Sequence, residues 1–125
     1  LHYIHSQGVY HCDLKPENIL ITGEGTDESP YTTHLIDFGV SLLDSELDAV
    51  GNTTQPRLVG SPGFFAPDML DNQNYSPANA DLWSFGCVLL ELLVGHHLFK
   101  NGTCTRYYSL GVRRSFVASP LSPLR

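Results

Sequence analysis

The sequence has few basic residues, and most of them lie near one end. Its 125 residues include 13 aspartates and glutamates but only 7 lysines and arginines, which gives a net charge of −6. Residues 1–105 hold all of the acids and three of the bases, and the other four bases lie in residues 106–125. Nonspecific nucleic-acid binding draws on many lysine and arginine contacts to phosphate. This composition therefore excludes nucleic acid as an expected partner.

Cysteine is also scarce, with Cys12, Cys87 and Cys104 at wide spacings and no CxxC pair. A disulfide or zinc framework needs more cysteines at closer spacing, so neither is expected. An intracellular, cytoplasmic setting is predicted instead. Methionine occurs once, at Met69, and the first residue is Leu1. We therefore expect a fragment of a longer protein.

No uninterrupted apolar run of membrane-spanning length is present. The most apolar stretch, residues 82–94, is short and contains Ser84 and Glu91, so no membrane segment is predicted. The pair Ser76-Pro77 precedes it as a helix cap and first-turn proline, and Gly95 follows it. Because its apolar residues cover nearly all faces, the stretch predicts a buried central helix, with Trp83 and Phe85 in the core.

The remainder of the chain alternates short apolar runs with polar loops. Leu1, Ile4 and His5 at helical spacing, followed by Gly8, predict the last turns of a helix. The apolar runs at residues 19–21 and 34–36 flank a polar stretch and predict a β-hairpin with a long tip. Residues 40–75 lack a sustained period, and an irregular stretch of this length is typical of a functional loop.

Four motifs follow one another along the chain. They are HCDLKPEN at residues 11–18, DFG at 37–39, GSPGFFAPD at 60–68 and DLWSFG at 81–86. In this order they resemble the catalytic loop, metal motif, activation-segment end and central helix of eukaryotic-type protein kinases, serine/threonine type. A lone DFG tripeptide would be weak evidence for this resemblance, but the four motifs in this order are specific evidence for it.

This resemblance implies an α+β, protein kinase-like fold. The chain would be the central part of the C-terminal lobe, mostly helical with a short β-hairpin, and the N-terminal lobe would be missing. Residues 1–102 are assigned to a partial protein kinase domain. Residues 103–125, which fall outside the resemblance, form an unassigned tail.

The resemblance also implies roles for individual residues, with ATP and Mg²⁺ as cofactors. Asp13 would accept the proton of the substrate hydroxyl, and Lys15 would place a positive charge beside the transferring phosphate of ATP. Asn18 and Asp37 would supply oxygen ligands to Mg²⁺. Leu20 would lie beneath the adenine ring.

Other residues would support these groups. Ser61 would brace the base and its lysine, and Asp81 would hold the catalytic-loop backbone by hydrogen bonds. Phe38 would pack between helices and report the active or inactive state, beside Gly39 of the same motif. His11 would be architectural rather than catalytic.

Simpler interpretations exist for each residue taken singly. A loop aspartate such as Asp13 or Asp37 is more often a turn residue than a catalyst, and Lys15 alone would be a solvated charge. The ordered motifs reverse this preference.

Several features depart from the family pattern. Cys12 replaces an arginine that in many kinases binds a phosphate on the activation segment, so we hypothesise that no such phosphate clamp operates here. Asp68 replaces a glutamate that normally pairs with an arginine. The sequence also has no glycine-rich loop, strand lysine or helix glutamate, so the 125 residues alone are expected to transfer no phosphate.

Two functions remain open. The first is an active serine/threonine kinase that acts on a protein substrate. The alternative is a noncatalytic, truncated kinase or pseudokinase that acts as a binding module. The sequence upstream of Leu1 would discriminate between them. The kinase group, substrate, regulator and oligomeric state do not follow from the sequence.

Overall fold

The computed structural model describes residues 1–54, 58–71 and 74–99. Within these ranges the helices are α1 (His2–Ser6), α2 (Pro67–Asp71) and α3 (Pro77–Val94). The strands are β1 (Val9–Tyr10), β2 (Ile19–Thr22), β3 (Thr32–Leu35) and β4 (Leu42–Leu43), and 3-10 turns cover Pro16–Asn18, Asp44–Glu46 and Pro62–Phe64. The predicted tail at 103–125, and the boundary at residue 102, lie outside the described residues.

The strands form two small antiparallel pairs. β2 and β3 make the predicted hairpin, with Ile19 opposite Leu35 and Thr22 opposite Thr32. β1 pairs with β4, with Tyr10 opposite Leu42. This second pair joins the residues just before the HCDLKPEN motif to the residues just after DFG.

Helix α3 begins and ends where the sequence predicts. The Ser76 side chain accepts a hydrogen bond from the Asn79 amide at 3.4 Å, and Pro77 occupies the first turn. Gly95 ends the helix with φ +78°, a left-handed conformation that glycine adopts without a Cβ clash. Both boundaries of this helix could therefore be predicted from its capping residues, Ser76 and Gly95.

The prediction that α3 is buried all round is wrong. One face is buried, with residues Ala80, Asp81, Ser84, Cys87, Val88 and Glu91 at helical spacing. Trp83 and Phe85, which we expected in the core, are exposed on the other side, as are Leu92 and Leu93. The physical reason is that the elements within the described ranges pack against only one face of the helix.

By length and apolar content alone, the 18 residues of α3 would suffice to cross a membrane, and the expectation of no membrane segment stays a prediction. The core helix of a soluble protein passes the same test. The buried face of α3 moreover carries the polar side chains of Asp81, Ser84 and Glu91, each hydrogen-bonded to other parts of the chain.

Those three side chains attach three separate loops to α3. Asp81 accepts hydrogen bonds from backbone amides of residues 11 and 12. The Ser84 hydroxyl donates to the Phe64 carbonyl oxygen at 2.8 Å. Glu91 accepts from the amides of Leu98 and Phe99 at 2.7 and 2.9 Å. Around them lie two apolar clusters, one of Phe65, Ala66, Met69, Tyr75 and Ala80 and one of Phe64, Cys87 and Val88.

The expectation of irregular structure over residues 40–75 holds in part. Thr53 ties the loop down, since its amide donates to the Tyr75 carbonyl oxygen at 2.9 Å. The sequence reading missed α2 and β4, which are five and two residues long. Elements this short carry no measurable hydrophobic period.

Candidate active site

The loop that follows β1 is held by one buried carboxylate. Asp81 on α3 is 1% exposed, and its two oxygens accept the backbone amides of His11 and Cys12, each at 2.8 Å. Hydrogen bonds to an ionised, buried acceptor are among the stronger ones in proteins. The contact implied for Asp81 by the motifs is therefore present, and it fixes the backbone one residue before Asp13.

A further residue, His5, joins this carboxylate, and the sequence reasoning missed it. Its Nε2 lies 2.8 Å from Asp81 Oδ2, and the pair links α1 to α3. His5 entered the sequence argument only through helical spacing. Its position on the last turn before the catalytic loop was the signal that could have found it.

His11 is fully buried and connects three parts of the site. Its Nε2 lies 3.0 Å from the Ile36 carbonyl oxygen, which can only accept, so Nε2 carries the proton. Its Nδ1 then accepts the Asp13 amide at 3.2 Å. The ring thus orients the backbone of the predicted base, Asp13.

The backbone at this loop is strained and closely packed. Cys12 has φ +64°, which is rare for a residue with a side chain other than asparagine or aspartate. Gly60, with φ +99°, lies against the loop, and a Cβ there would collide with the Cys12 carbonyl oxygen and approach Asp13 Oδ1 to 3.4 Å. The activation-segment motif therefore touches the catalytic loop at a glycine.

Asp13, Lys15, Asn18 and Ser61 form one hydrogen-bonded group. Lys15 Nζ donates to Asp13 Oδ2 at 2.9 Å and to Ser61 Oγ at 2.8 Å. Asn18 Nδ2 donates to the Asp13 carbonyl oxygen at 2.8 Å and to its Oδ2 at 3.3 Å. The other carboxylate oxygen, Asp13 Oδ1, is buried and has no hydrogen-bond partner in the part of the chain that the structure describes.

The DFG motif lies beside this group. Ile36 N donates to the Asn18 carbonyl oxygen at 3.0 Å. Asp37 is the next residue, so this hydrogen bond holds the start of the DFG motif near Asn18. Asp37 has φ +63° and is exposed, and its Oδ1 accepts the Gly39 amide at 3.3 Å. Its carboxylate thus keeps an accessible oxygen.

The expected position of Phe38 between helices is wrong. Its ring packs on His11, with centroids 4.8 Å apart, and 43% of the residue is exposed. The physical reason is that no helix within residues 1–54, 58–71 or 74–99 encloses its outer side.

Leu20 lies on β2 opposite His34 and is half exposed. An accessible leucine side chain suits contact with the flat face of an apolar or aromatic ring.

The oxygen atoms at this site suit a Mg²⁺ ion that is bound by the protein and by substrate phosphates together. They do not suit a metal ion bound by protein side chains alone. No group of three or more His, Cys, Asp or Glu side chains that could hold a metal occurs among the residues the structure covers. Mg²⁺ commonly takes one or two protein carboxylates and completes its octahedron with water and substrate phosphates. Asp37 offers a carboxylate oxygen, and Asn18, whose amide nitrogen is used on Asp13, offers its amide oxygen.

Asp68 lies on α2 beside a cavity of about 240 Å³ that is also lined by Tyr75, Asn79 and Trp83. The ranges that the structure describes contain no arginine, so whether Asp68 has such a partner stays untested.

Comparison with known proteins gives a consistent result. The family model described as protein kinase domain matches residues 1–120. The chain is 37% identical over 122 residues to CBL-interacting serine/threonine-protein kinase 26 of Arabidopsis thaliana, covering 97% of this chain and 26% of that protein. It is 38% identical over 120 residues to CBL-interacting protein kinase 32 of Oryza sativa subsp. japonica, covering 94% and 25%. The chain therefore spans about a quarter of the length of these curated relatives.

Proposed function

The chain belongs to the protein kinase domain family, and from that premise we propose that the protein containing it is a serine/threonine kinase. In this proposal it transfers the γ-phosphoryl group of ATP to a hydroxyl of a protein substrate. The relatives named as serine/threonine kinases support this class of acceptor. Because the match covers only a quarter of those relatives, the activity of the whole protein rests on the geometry of the site.

The observation that carries the proposal is the environment of Asp13. One carboxylate oxygen is fixed by Lys15 and Asn18, while Oδ1 is buried without a hydrogen-bond partner in the described ranges. Leaving a buried acceptor unsatisfied costs about 1–3 kcal/mol, and such a cost is typical of groups kept for function. The Asp13 carboxylate, which thus keeps unused acceptor capacity, would take the proton of a substrate hydroxyl as the phosphoryl group is transferred.

Lys15 and Ser61 complete the proton-accepting end of the site. Lys15 Nζ is shared between the carboxylate and the Ser61 hydroxyl, which places one positive charge beside the base. That charge would stabilise the negative oxygens of the transferring group. Ser61 fixes the ammonium group, so the charge needs no rearrangement during the reaction.

Asn18 and Asp37 are the residues that would hold Mg²⁺, and Leu20 would lie against the adenine. When bound, ATP with Mg²⁺ supplies the phosphoryl group and the cation that neutralises its charge. The contribution of this chain is to position the two oxygen ligands next to the base: Asn18 is tied to Asp13, and Asp37 follows the contact between Ile36 and Asn18.

The test is Asp13→Ala in the complete protein, assayed with labelled ATP and a mixture of protein substrates. General-base catalysis contributes about 10²–10⁴-fold in rate, so phosphoryl transfer should fall by at least about 100-fold. Asp27→Ala, a change of an exposed aspartate on the hairpin tip, is the matched control and should retain full activity. Equal activity of both variants would refute Asp13 as the base.

The 125 residues alone are a separate case. They contain none of the three parts that grip ATP in the family, namely a glycine-rich loop, a strand lysine and a helix glutamate. We expect this chain, purified by itself, to transfer no phosphate. Transfer that disappears on Asp13→Ala would contradict that expectation.

A noncatalytic binding role is the second candidate, and the exposed apolar side of α3 favours it. The two proposals differ in the response to Asp13→Ala, which would leave a binding role intact. The wide spacing of the three cysteines, with no CxxC pair, supports an intracellular, reducing setting as part of this proposal.

A further inference from the structure

Tyr10 connects the residues after DFG to the strand that leads into the catalytic loop. Its phenolic hydroxyl donates to Asp44 Oδ1 at 2.6 Å. The backbone of Asp44 reinforces the contact, since its amide donates to the Gly8 carbonyl oxygen at 2.9 Å. Asp44 begins the 3-10 turn that follows β4, and Tyr10 immediately precedes His11. The bond therefore joins the start of the activation segment, residues 40–66, to the catalytic loop.

The sheet at this junction is too short to fix the segment alone. β1 and β4 share two residue pairs, Val9 with Leu43 and Tyr10 with Leu42. Isolated two-stranded pairs are marginally stable even when longer. A side-chain contact from Tyr10, within the pair, to Asp44, one residue past β4, would limit fraying.

On its other side, Tyr10 touches the group that holds the catalytic loop. Its ring packs against the His5 ring with centroids 5.2 Å apart. His5 in turn contacts Asp81, whose oxygens bind the amides of His11 and Cys12. Asp44, Tyr10, His5 and Asp81 thus form a contiguous series from the activation segment to the loop that carries the base.

The few basic side chains in the described ranges disfavour a phosphate-dependent contact at this junction. Residue 12 is a cysteine, which cannot bind a phosphate by charge. Within residues 1–54, 58–71 and 74–99 the one lysine or arginine is Lys15, and it is engaged with Asp13 and Ser61. A phosphorylated activation segment would find no lysine or arginine within these ranges that is not already used.

We propose that the Tyr10–Asp44 hydrogen bond anchors the activation segment to the catalytic loop without phosphorylation, and that Tyr10 is a positioning residue for the reaction. The role in catalysis rests on the proposed kinase function. The anchor itself is a hydrogen bond, and its presence can be tested whether or not the protein transfers phosphate.

The charge state of Tyr10 agrees with this role. The hydrogen bond to Asp44 raises the pKa of the Tyr10 phenol above its usual value of 10.0, with burial and the negative charge of Asp44 adding to the effect. The phenol therefore remains a proton donor throughout the physiological pH range.

The first experiment measures amide hydrogen exchange over residues 44–54 in the complete protein. Leu47 and Gly51 amides in this stretch donate to backbone carbonyls, so they report local opening. Tyr10→Phe and Asp44→Ala should each speed exchange there about fivefold, the size expected for one partly exposed hydrogen bond. The double variant should be no faster than either single one, because both remove the same contact.

The matched control is Tyr3→Phe. Tyr3 lies on the neighbouring helix α1, is 74% exposed, and loses the same hydroxyl group. Its exchange profile should match the unmodified protein. Additive effects of Tyr10→Phe and Asp44→Ala, or exchange unchanged in both, would overturn the anchor.

The second experiment separates positioning from phosphorylation. Tyr10→Phe should lower kcat about fivefold with little change in KM for ATP, because the base is displaced while the nucleotide site is not. Ser45→Ala combined with Thr54→Ala removes two exposed hydroxyls of the segment and should leave kcat unchanged. Loss of activity in that variant, with Tyr10→Phe fully active, would show a phosphate-dependent segment and overturn the proposal.

The two proposals fail in different ways. If the unmodified protein transfers no phosphate, the kinase function fails, and hydrogen exchange still decides whether the anchor exists. If phosphate is transferred but the Tyr10 and Asp44 variants exchange and react like the unmodified protein, the anchor alone fails.

Discussion

Three aspartates near the catalytic loop illustrate how environment assigns different tasks to one residue type. Asp81 is buried with both oxygens engaged by amides. Asp13 has one oxygen engaged and one buried without a hydrogen-bond partner in the described ranges. Asp37 is exposed in a left-handed backbone conformation. A fully engaged carboxylate can only position its neighbours, whereas a carboxylate with unused acceptor capacity can take a proton or bind a cation.

Asp81→Asn tests the positioning carboxylate. An amide retains one acceptor, but its NH₂ group would face a backbone donor and leave it unpaired. Because bonds to charged groups contribute about 1.5–3 kcal/mol each, the loss in free energy of unfolding should be roughly 3 kcal/mol. Thermal unfolding of the complete protein measures it. Asp27→Asn, at an exposed position on the hairpin tip, is the control, and equal melting temperatures would contradict the prediction.

Gly60→Ala tests the close approach between the activation segment and the base. The added methyl group would collide with the Cys12 carbonyl oxygen and displace Asp13. A displacement of about 1 Å can cost on the order of 100-fold in rate, so kcat should fall strongly. Gly51→Ala is the matched control, since Gly51 also has positive φ but nothing lies within 4 Å of its added Cβ. Similar kcat values for the two variants would exclude the steric explanation.

At the scale of residues, the order of the motifs predicted which residues lie together more reliably than it predicted the contacts that those residues make. The motifs identified Asp13, Lys15 and Ser61, and the structure brings these three together. His5 was missed because its partner, Asp81, lies 76 residues away in sequence. Phe38 was misplaced because its surroundings depend on elements beyond the motif.

At the scale of elements, α3 is delimited by local chemistry at both ends. Ser76 accepts the Asn79 amide, and Gly95 takes the left-handed conformation. Both features are readable from sequence because a cap depends on neighbours three or four residues away. The β2–β3 hairpin was predictable because two apolar runs flank one polar stretch.

Ser76→Ala should shorten or loosen the first turn of α3. Loss of an N-cap side chain costs about 1 kcal/mol, and amide exchange near Asn79 should rise accordingly. Ser76→Asp keeps an acceptor at this position and should behave like the unmodified protein. An effect as large in the aspartate variant as in the alanine variant would mean that the cap is not the cause.

The burial of α3 was less predictable than its ends. Apolar residues on all sides of the helix do not reveal which side the described elements cover. The short helix α2 escaped prediction because five residues span little more than one turn.

At the scale of the whole molecule, the described part combines a negative net charge with an exposed apolar helix face. Leu92 and Leu93 are 68% and 77% exposed. Large apolar patches of this kind promote association when nothing covers them. The family and the fold class followed from motif order, whereas the boundary at residue 102 stays a prediction, because the apolar pattern that would define further elements fades there.

Leu92→Gln with Leu93→Gln should reduce self-association of the 125-residue chain without loss of helix. Light scattering at increasing concentration, with circular dichroism for helix content, tests this. Val88→Gln, on the buried face of α3, is the contrasting control and should lower stability instead. Unchanged scattering in the double variant would show that this face does not drive association.

The attachment of three loops to one helix bears on how this region tolerates change in evolution. Asp81, Ser84 and Glu91 lie along about 15 Å of α3, given a rise of 1.5 Å per residue. Each sets the position of a different loop from the same rigid rod. Insertions elsewhere, such as a longer tip between β2 and β3, therefore leave those distances unchanged. We therefore expect insertions in the outer loops to be tolerated better than changes in the spacing of the three attachment points along the helix.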